Sequence, residues 1–189
     1  MDRVRPRTLI LPLIFLSAVC LFALSKFTLH SSPFISEQIS NHDHTGKSPR
    51  EIQKISNRYP TSVTQWEEQI VSAAQGYDLD PNLIAAVMLQ ESGGQPEVIS
   101  TSGAVGLMQI MPRDGIAKWF MCNGYPCFAN RPSTTELFDP DFNIDFSARM
   151  LSNLINMKIS IRDALKSYGP MDVGFMYADK VLSIYAPYK

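Results

Sequence analysis

The chain has 189 residues, 45% of them hydrophobic and 19% charged, with a formal net charge of −1. That size and balance fit one globular domain plus attachments. They exclude a protein that captures nucleic acid through a strongly basic surface.

Arg3, Arg5 and Arg7 precede an apolar run from Leu9 to Leu24, the layout of an export signal. Ala23-Leu24-Ser25 places small residues where a signal peptidase needs them, so cleavage falls after Ser25. An uncleaved anchor is the competing reading. The run falls short of the roughly 20 apolar residues of a spanning helix, and Pro12 interrupts it, although Phe27 and Leu29 could extend it. Cys20 follows Val19, which is too bulky for a lipoprotein site. Residues 1–25 therefore read as a signal peptide or membrane anchor, and the protein as extracytoplasmic, with the membrane touched only through this segment if it stays uncleaved. Residues 26–62, rich in Ser, Asn, His, Lys and Pro without an apolar period, read as a flexible linker.

The domain, 63–189, starts where periodicity starts. Val63, Trp66, Ile70, Ala73, Ala74 and Tyr77 form a helical stripe, Thr64 and Glu67 suit a capping box, and Gly76 marks an end. Asp80-Pro81 then reads as an N-cap and first helical residue, and Leu83, Ile84, Val87 and Met88 recur on one face up to Ser92. Glu91 stands at the edge of that face, four residues from Val87 and three from Met88, just before Gly93-Gly94 stop the helix. A carboxyl group leaning over apolar side chains is partly desolvated and its pKa rises, as a general acid near neutral pH requires.

Gly103 to Pro112 follows, with a short helical turn predicted from Gly106 to Met111 and another short helix from Arg113 to Met121. The stretch from Cys122 to Pro132 reads as loop. Asn-Gly-Tyr-Pro between Cys122 and Cys127 is turn-like, and an exported protein can keep a disulfide there. A zinc site would need more ligands, and the three histidines, His30, His42 and His44, lie far away in the N-terminal stretch. Ser133 with Glu136 is a second capping-box candidate before Asp139-Pro140. Helices are then predicted from about Asp141 to Met157, from Ile161 to Tyr168 with Ser160 and Asp163 at its start, and from about Val173 to Tyr185. No run alternates like a strand, so the fold class is all-α.

Glu91-Ser92, Ser100, Gly103-Ala-Val-Gly-Leu-Met-Gln-Ile-Met-Pro112, Phe138-Asp-Pro, Asn143-Ile144 and Ala164-Leu-Lys-Ser-Tyr168 resemble, in order, the motifs of soluble-lytic-transglycosylase catalytic domains. The resemblance covers about Val63 to Tyr185. It implies a lysozyme-like single catalytic domain that cuts the β-1,4 bond between N-acetylmuramic acid and N-acetylglucosamine in peptidoglycan and leaves a 1,6-anhydro sugar. Goose-type lysozymes, its hydrolytic relatives, cut the same bond with water.

The resemblance implies Glu91 as acid and then base, with Met108, Gln109 and Met111 lining the saccharide groove and Ser100 near the acetamido or peptide substituents. It puts Tyr168 where a tyrosine hydrogen-bonds near the catalytic acid and steers its carboxyl group. Here Ser167-Tyr-Gly-Pro170 departs from the family's Ala-Tyr-Asn-Ala-Gly, which removes contacts carried by that Asn. Tyr125 in the Cys122–Cys127 insertion reads as an ordinary exposed loop aromatic. Glu97, Asp114 and Asp145 read as surface or capping acids, which leaves Glu91 without a carboxylate partner. The expected enzyme needs no cofactor and no metal, acts as a monomer and takes peptidoglycan glycan strands as its partner. The rival from another class is a non-catalytic glycan-binding module with an idle acid.

Overall fold

The computed structural model describes residues 53–188. The export signal or anchor and most of the linker lie outside the described residues, as do Cys20, His30, His42 and His44. Among the described residues no helix is long and apolar enough to cross a membrane.

The frame is all-α. Among the described residues seven α-helices follow in order: α1 Thr61–Thr64, α2 Glu67–Tyr77, α3 Pro81–Glu91, α4 Thr134–Leu137, α5 Pro140–Met157, α6 Ile161–Tyr168 and α7 Met176–Tyr185. Helix α3 is the centre of the packing, because Leu83, Ile84, Ala85, Ala86, Val87 and Met88 are all buried in consecutive positions. A helix apolar all round must be enclosed. Helices α2 and α7 pack against it, α5 packs on α2 and α6, and α6 packs on α7. Leu107, Leu137, Ile144, Leu151, Leu165 and Val181 complete the core around it.

Local chemistry sets most helix starts. Asp80 accepts from the Asn82 N–H with Pro81 at the first helical position, Ser133 and Glu136 close a reciprocal capping box, and Asp139 and Ser160 cap α5 and α6. Four expectations differ. Thr64 and Glu67 make no capping box; α2 starts after Trp66 without a side-chain cap, because a separate turn, α1, takes up Thr61–Thr64. Gly76 lies inside α2, and Asp78, at φ 54°, supplies the left-handed terminus that a glycine usually gives. Arg113 to Met121 holds only a 3-10 turn at Ala117–Trp119, followed by two short antiparallel strands, β1 Met121–Cys122 and β2 Tyr125–Pro126. Cys122 and Cys127, whose Cα atoms are 4.9 Å apart, bridge this hairpin as a disulfide, and the bridge and turn together specify an extended pair that apolar alternation could not reveal. Finally, α7 begins at Met176, after Gly174 at φ +59°, three residues later than Val173.

The end of the linker belongs to the domain. Ile55 and Tyr59 are buried in the core, and the Tyr59 hydroxyl donates to the Asn82 carbonyl at 2.9 Å. At the same end of α3, the Tyr185 hydroxyl donates to Asp80 Oδ2 at 2.7 Å.

Candidate active site

Glu91 is the last residue of α3. Ser92 follows it and ties the helix end to the glycine-rich segment: its hydroxyl donates to the Leu107 carbonyl at 2.7 Å and accepts from the Gly94 N–H at 3.1 Å. That segment is no helical turn, contrary to the expectation for Gly106 to Met111. Val105 and Ile110 exchange backbone hydrogen bonds at 2.9 and 3.1 Å, which closes residues 105–110 into a loop. The left-handed backbone of Gly106 (φ +78°) and Gln109 (φ 47°) is what turns the chain back so tightly, and it breaks helical continuity.

Asn143, fully buried on α5, pins the loop. It accepts from the Met108 N–H at 2.9 Å and donates to the carbonyls of Val105 at 3.1 Å and Leu137 at 2.8 Å. Gly106 makes room for this amide, since a Cβ there would sit 2.4 Å from Asn143 Nδ2.

The Tyr177 hydroxyl, from α7, donates to Glu91 Oε1. Glu91 is largely buried, and burial pushes its pKa up from 4.5 to about 7, against the opposing pull of the Tyr177 hydrogen bond. Burial and the neighbouring Glu91 hold the Tyr177 phenol far above its ordinary range, so it remains a neutral donor. Among the described residues no second acid acts on Glu91. Asp114 is occupied by the Thr134 hydroxyl and N–H, Asp145 by the Tyr77 hydroxyl, and Glu97 is exposed.

Tyr168 stands behind this pair. Its ring stacks on that of Tyr177, with centroids 6.4 Å apart and planes 13° from parallel, while its hydroxyl donates to the Met108 carbonyl at 2.9 Å. The hydroxyl on Glu91 is thus that of Tyr177, while that of Tyr168 is spent on the Met108 carbonyl. Met108 is fully buried, so its side chain is core rather than groove lining, a correction to the sequence reading. Its backbone serves instead, through Asn143 and Tyr168.

Met111 is partly exposed. The Gln109 side-chain nitrogen is committed to the carbonyls of Gly106 at 2.9 Å and Val98 at 3.1 Å, which leaves the amide oxygen as the group it can offer a ligand. The Ser100 hydroxyl takes the Ala104 N–H at 2.9 Å and pairs with the Ser102 hydroxyl at 3.0 Å, so it also builds the loop. Tyr125, in β2 of the bridged hairpin, is 76% exposed. No group of three or more metal-ligating side chains occurs among the described residues.

Residues 68–174, more than half of the chain, match the family described as Transglycosylase SLT domain, and the chain belongs to that family. Individual relatives follow the same line. The chain is 37% identical over 102 residues to a protein named membrane-bound lytic murein transglycosylase E from Buchnera aphidicola, across 54% of this chain and 45% of that one. It is 40% identical over 92 residues to one named endo-type membrane-bound lytic murein transglycosylase A from Klebsiella pneumoniae, across 49% and 44%. A transglycosylase of Enterobacteria phage PRD1 is 35% identical over 108 residues, across 57% and 36%. The match thus spans less than half the length of these relatives. Among solved structures, lytic transglycosylase Slt from Pseudomonas aeruginosa aligns with a TM-score of 0.43 at 25% identity, over 64% of this chain and 23% of that one. The 70 kDa soluble lytic transglycosylase from Escherichia coli aligns with a TM-score of 0.44 at 26% identity, over 68% and 19%.

Proposed function

We propose that this protein is a lytic transglycosylase of peptidoglycan, cleaving the β-1,4 bond between N-acetylmuramic acid and N-acetylglucosamine with one residue, Glu91, as acid and then base. What supports this is a largely buried carboxyl group, pushed up to about 7 by burial, held by a neutral hydroxyl and, among the described residues, with no second acid beside it. Hydrolytic glycosidases generally need a second carboxyl group to activate water or act as nucleophile. A reaction inside the substrate does not.

In the first step the protonated Glu91 gives its proton to the glycosidic oxygen as the C1–O bond breaks, and the neighbouring acetamido group of the sugar supports the positive charge at C1. Tyr177 occupies Oε1, which leaves Oε2 to carry that proton. In the second step the Glu91 carboxylate takes the proton of the sugar's own C6 hydroxyl as O6 bonds to C1. The acid is restored and no water is consumed. The amide oxygen of Gln109 and the partly exposed Met111 are the proposed sugar contacts, with Ser100 on the same loop.

Residues 1–25 direct export or anchor the chain, and the folded part acts on the cell wall from the extracytoplasmic side as a monomer. The names of the relatives, murein transglycosylases described as membrane-bound, support substrate and location alike. Digestion of purified sacculi followed by mass spectrometry tests the reaction. Anhydro-muramyl ends are expected; reducing ends would make the enzyme a lysozyme-type hydrolase, and binding without product would make it a glycan-binding module.

A further inference from the structure

Gly169, between Tyr168 and Pro170, has no conformational reason to be glycine. Its backbone, at φ −75° and ψ −174°, is one that any L-residue adopts. Its N–H donates to the Leu165 carbonyl at 3.0 Å and closes α6 in an ordinary way. What it lacks is room. A Cβ on Gly169 would meet Tyr177 at 2.4 Å from both Cγ and Cδ1 and 3.0 Å from Cβ. These atoms are the root of the side chain, so the ring cannot avoid a methyl group by moving its tip. It would have to turn about its first torsion, or α7 would have to move.

Tyr177 cannot turn freely, because one face of its ring is stacked on Tyr168 and its hydroxyl is on Glu91. We infer that Gly169 is a positioning residue for the candidate acid: the missing side chain lets the Tyr177 ring pass against the α6 terminus, which sets the hydroxyl on Glu91. This rests on the assignment of Glu91 as the acid and adds the element that fixes its geometry. It also gives a use to the sequence's departure from the family pattern at this position. The titratable groups facing Glu91 are Tyr177 from α7 and Tyr168 from the end of α6, and Arg131 in turn faces Tyr168.

The test is a carbon-13 titration of the Glu91 carboxyl group in the full-length chain, for wild type, Gly169→Ala, Tyr177→Phe and the double variant. In Gly169→Ala the hydroxyl leaves Oε1 and the Glu91 pKa rises by about half a pH unit or more, since a hydrogen bond to the carboxylate has been lost. In the Tyr177→Phe background, where that hydrogen bond is already absent, adding Gly169→Ala leaves the Glu91 pKa unchanged. Below pH 6, kcat/KM on sacculi falls by about tenfold in Gly169→Ala with KM nearly constant, the mark of a misplaced reacting group.

An unshifted Glu91 in Gly169→Ala, or an equal shift with and without the Tyr177 hydroxyl, overturns the inference while leaving the assignment of Glu91 intact. A wild-type Glu91 titrating near 4.5 overturns the assignment itself. Should Gly169→Ala not fold, its combination with Tyr177→Leu decides. Folding restored to the level of Tyr177→Leu alone supports the steric cause, and continued failure to fold refutes it.

Discussion

Tyr177 donates its hydroxyl hydrogen to Oε1 of Glu91 across 86 residues of sequence. Among the described residues this contact is the only polar one that offsets burial at the carboxyl group, and together the two leave an acid with a pKa near 7. Such an acid is partly protonated and partly ionised at neutral pH, as a group that must first give and then take a proton should be.

The kcat/KM for sacculus cleavage should therefore fall above about pH 7, as the free enzyme's Glu91 ionises. Initial rates at low substrate across pH 5 to 9 check this. A profile still flat at pH 9 would mean that Glu91 is not the donor.

Glu91→Gln should lower kcat by at least about a hundredfold, because the amide cannot donate or accept the proton. The same change should alter stability with pH. The folded pKa lies above the unfolded one, so Glu91's contribution is intact below about pH 4.5 and is lost as pH rises through about 7. Across that window, wild type should lose up to about 3 kcal/mol relative to Glu91→Gln. Urea midpoints of the two proteins at pH 4.5 and pH 8 measure it, and parallel curves would contradict a buried ionising Glu91.

Tyr177→Phe keeps the stacked ring and removes the hydroxyl. Since that hydrogen bond lowers the pKa of Glu91, its loss should raise the value above about 7 and move the alkaline limb of kcat/KM to higher pH, with a lower plateau. Tyr168→Phe removes a hydroxyl bonded to the Met108 carbonyl instead, so it should cost about 1 kcal/mol of stability and leave the limb nearly in place. Similar pH shifts in both variants would refute the division of roles between the two rings.

Gly106→Ala should destabilise the domain by about 2 kcal/mol or more, from the left-handed backbone and from pressure on Asn143 Nδ2. Asn143→Ala should cost about 3 kcal/mol, because the Met108 N–H and the carbonyls of Val105 and Leu137 would lose their partner in the core. Thermal melts of both variants check these values. A melting temperature within a degree of wild type would show that the loop does not depend on this pin.

The parts of the fold governed by local chemistry were legible in the sequence. Asp80-Pro81, Ser133 with Glu136 and Ser160 mark helix starts because their side chains bond to N–H groups two or three residues on, and Glu91 could be placed at the end of α3 for the same kind of reason. What escaped depends on distant contacts. Tyr177 sits among Ala178, Val181 and Tyr185 in a stripe that reads as core, and nothing near it in sequence shows that its hydroxyl meets a carboxyl group on another helix. A motif gives the order of residues but not which of them turns inward, and Met108 is fully buried. The loop from Gly106 to Ile110 looked helical because its closure depends on Asn143, thirty-five residues beyond Met108.

Helix α7 grips both ends of α3, through Tyr177 on Glu91 and through Tyr185 on Asp80. The helix that bears the acid is thus held at its two ends by residues 86 and 105 positions further along the chain. A chain cut before Met176 should keep the acid and the loop motifs but lose both of these holds, and with the Tyr177 ring gone the carboxyl group should titrate closer to 4.5.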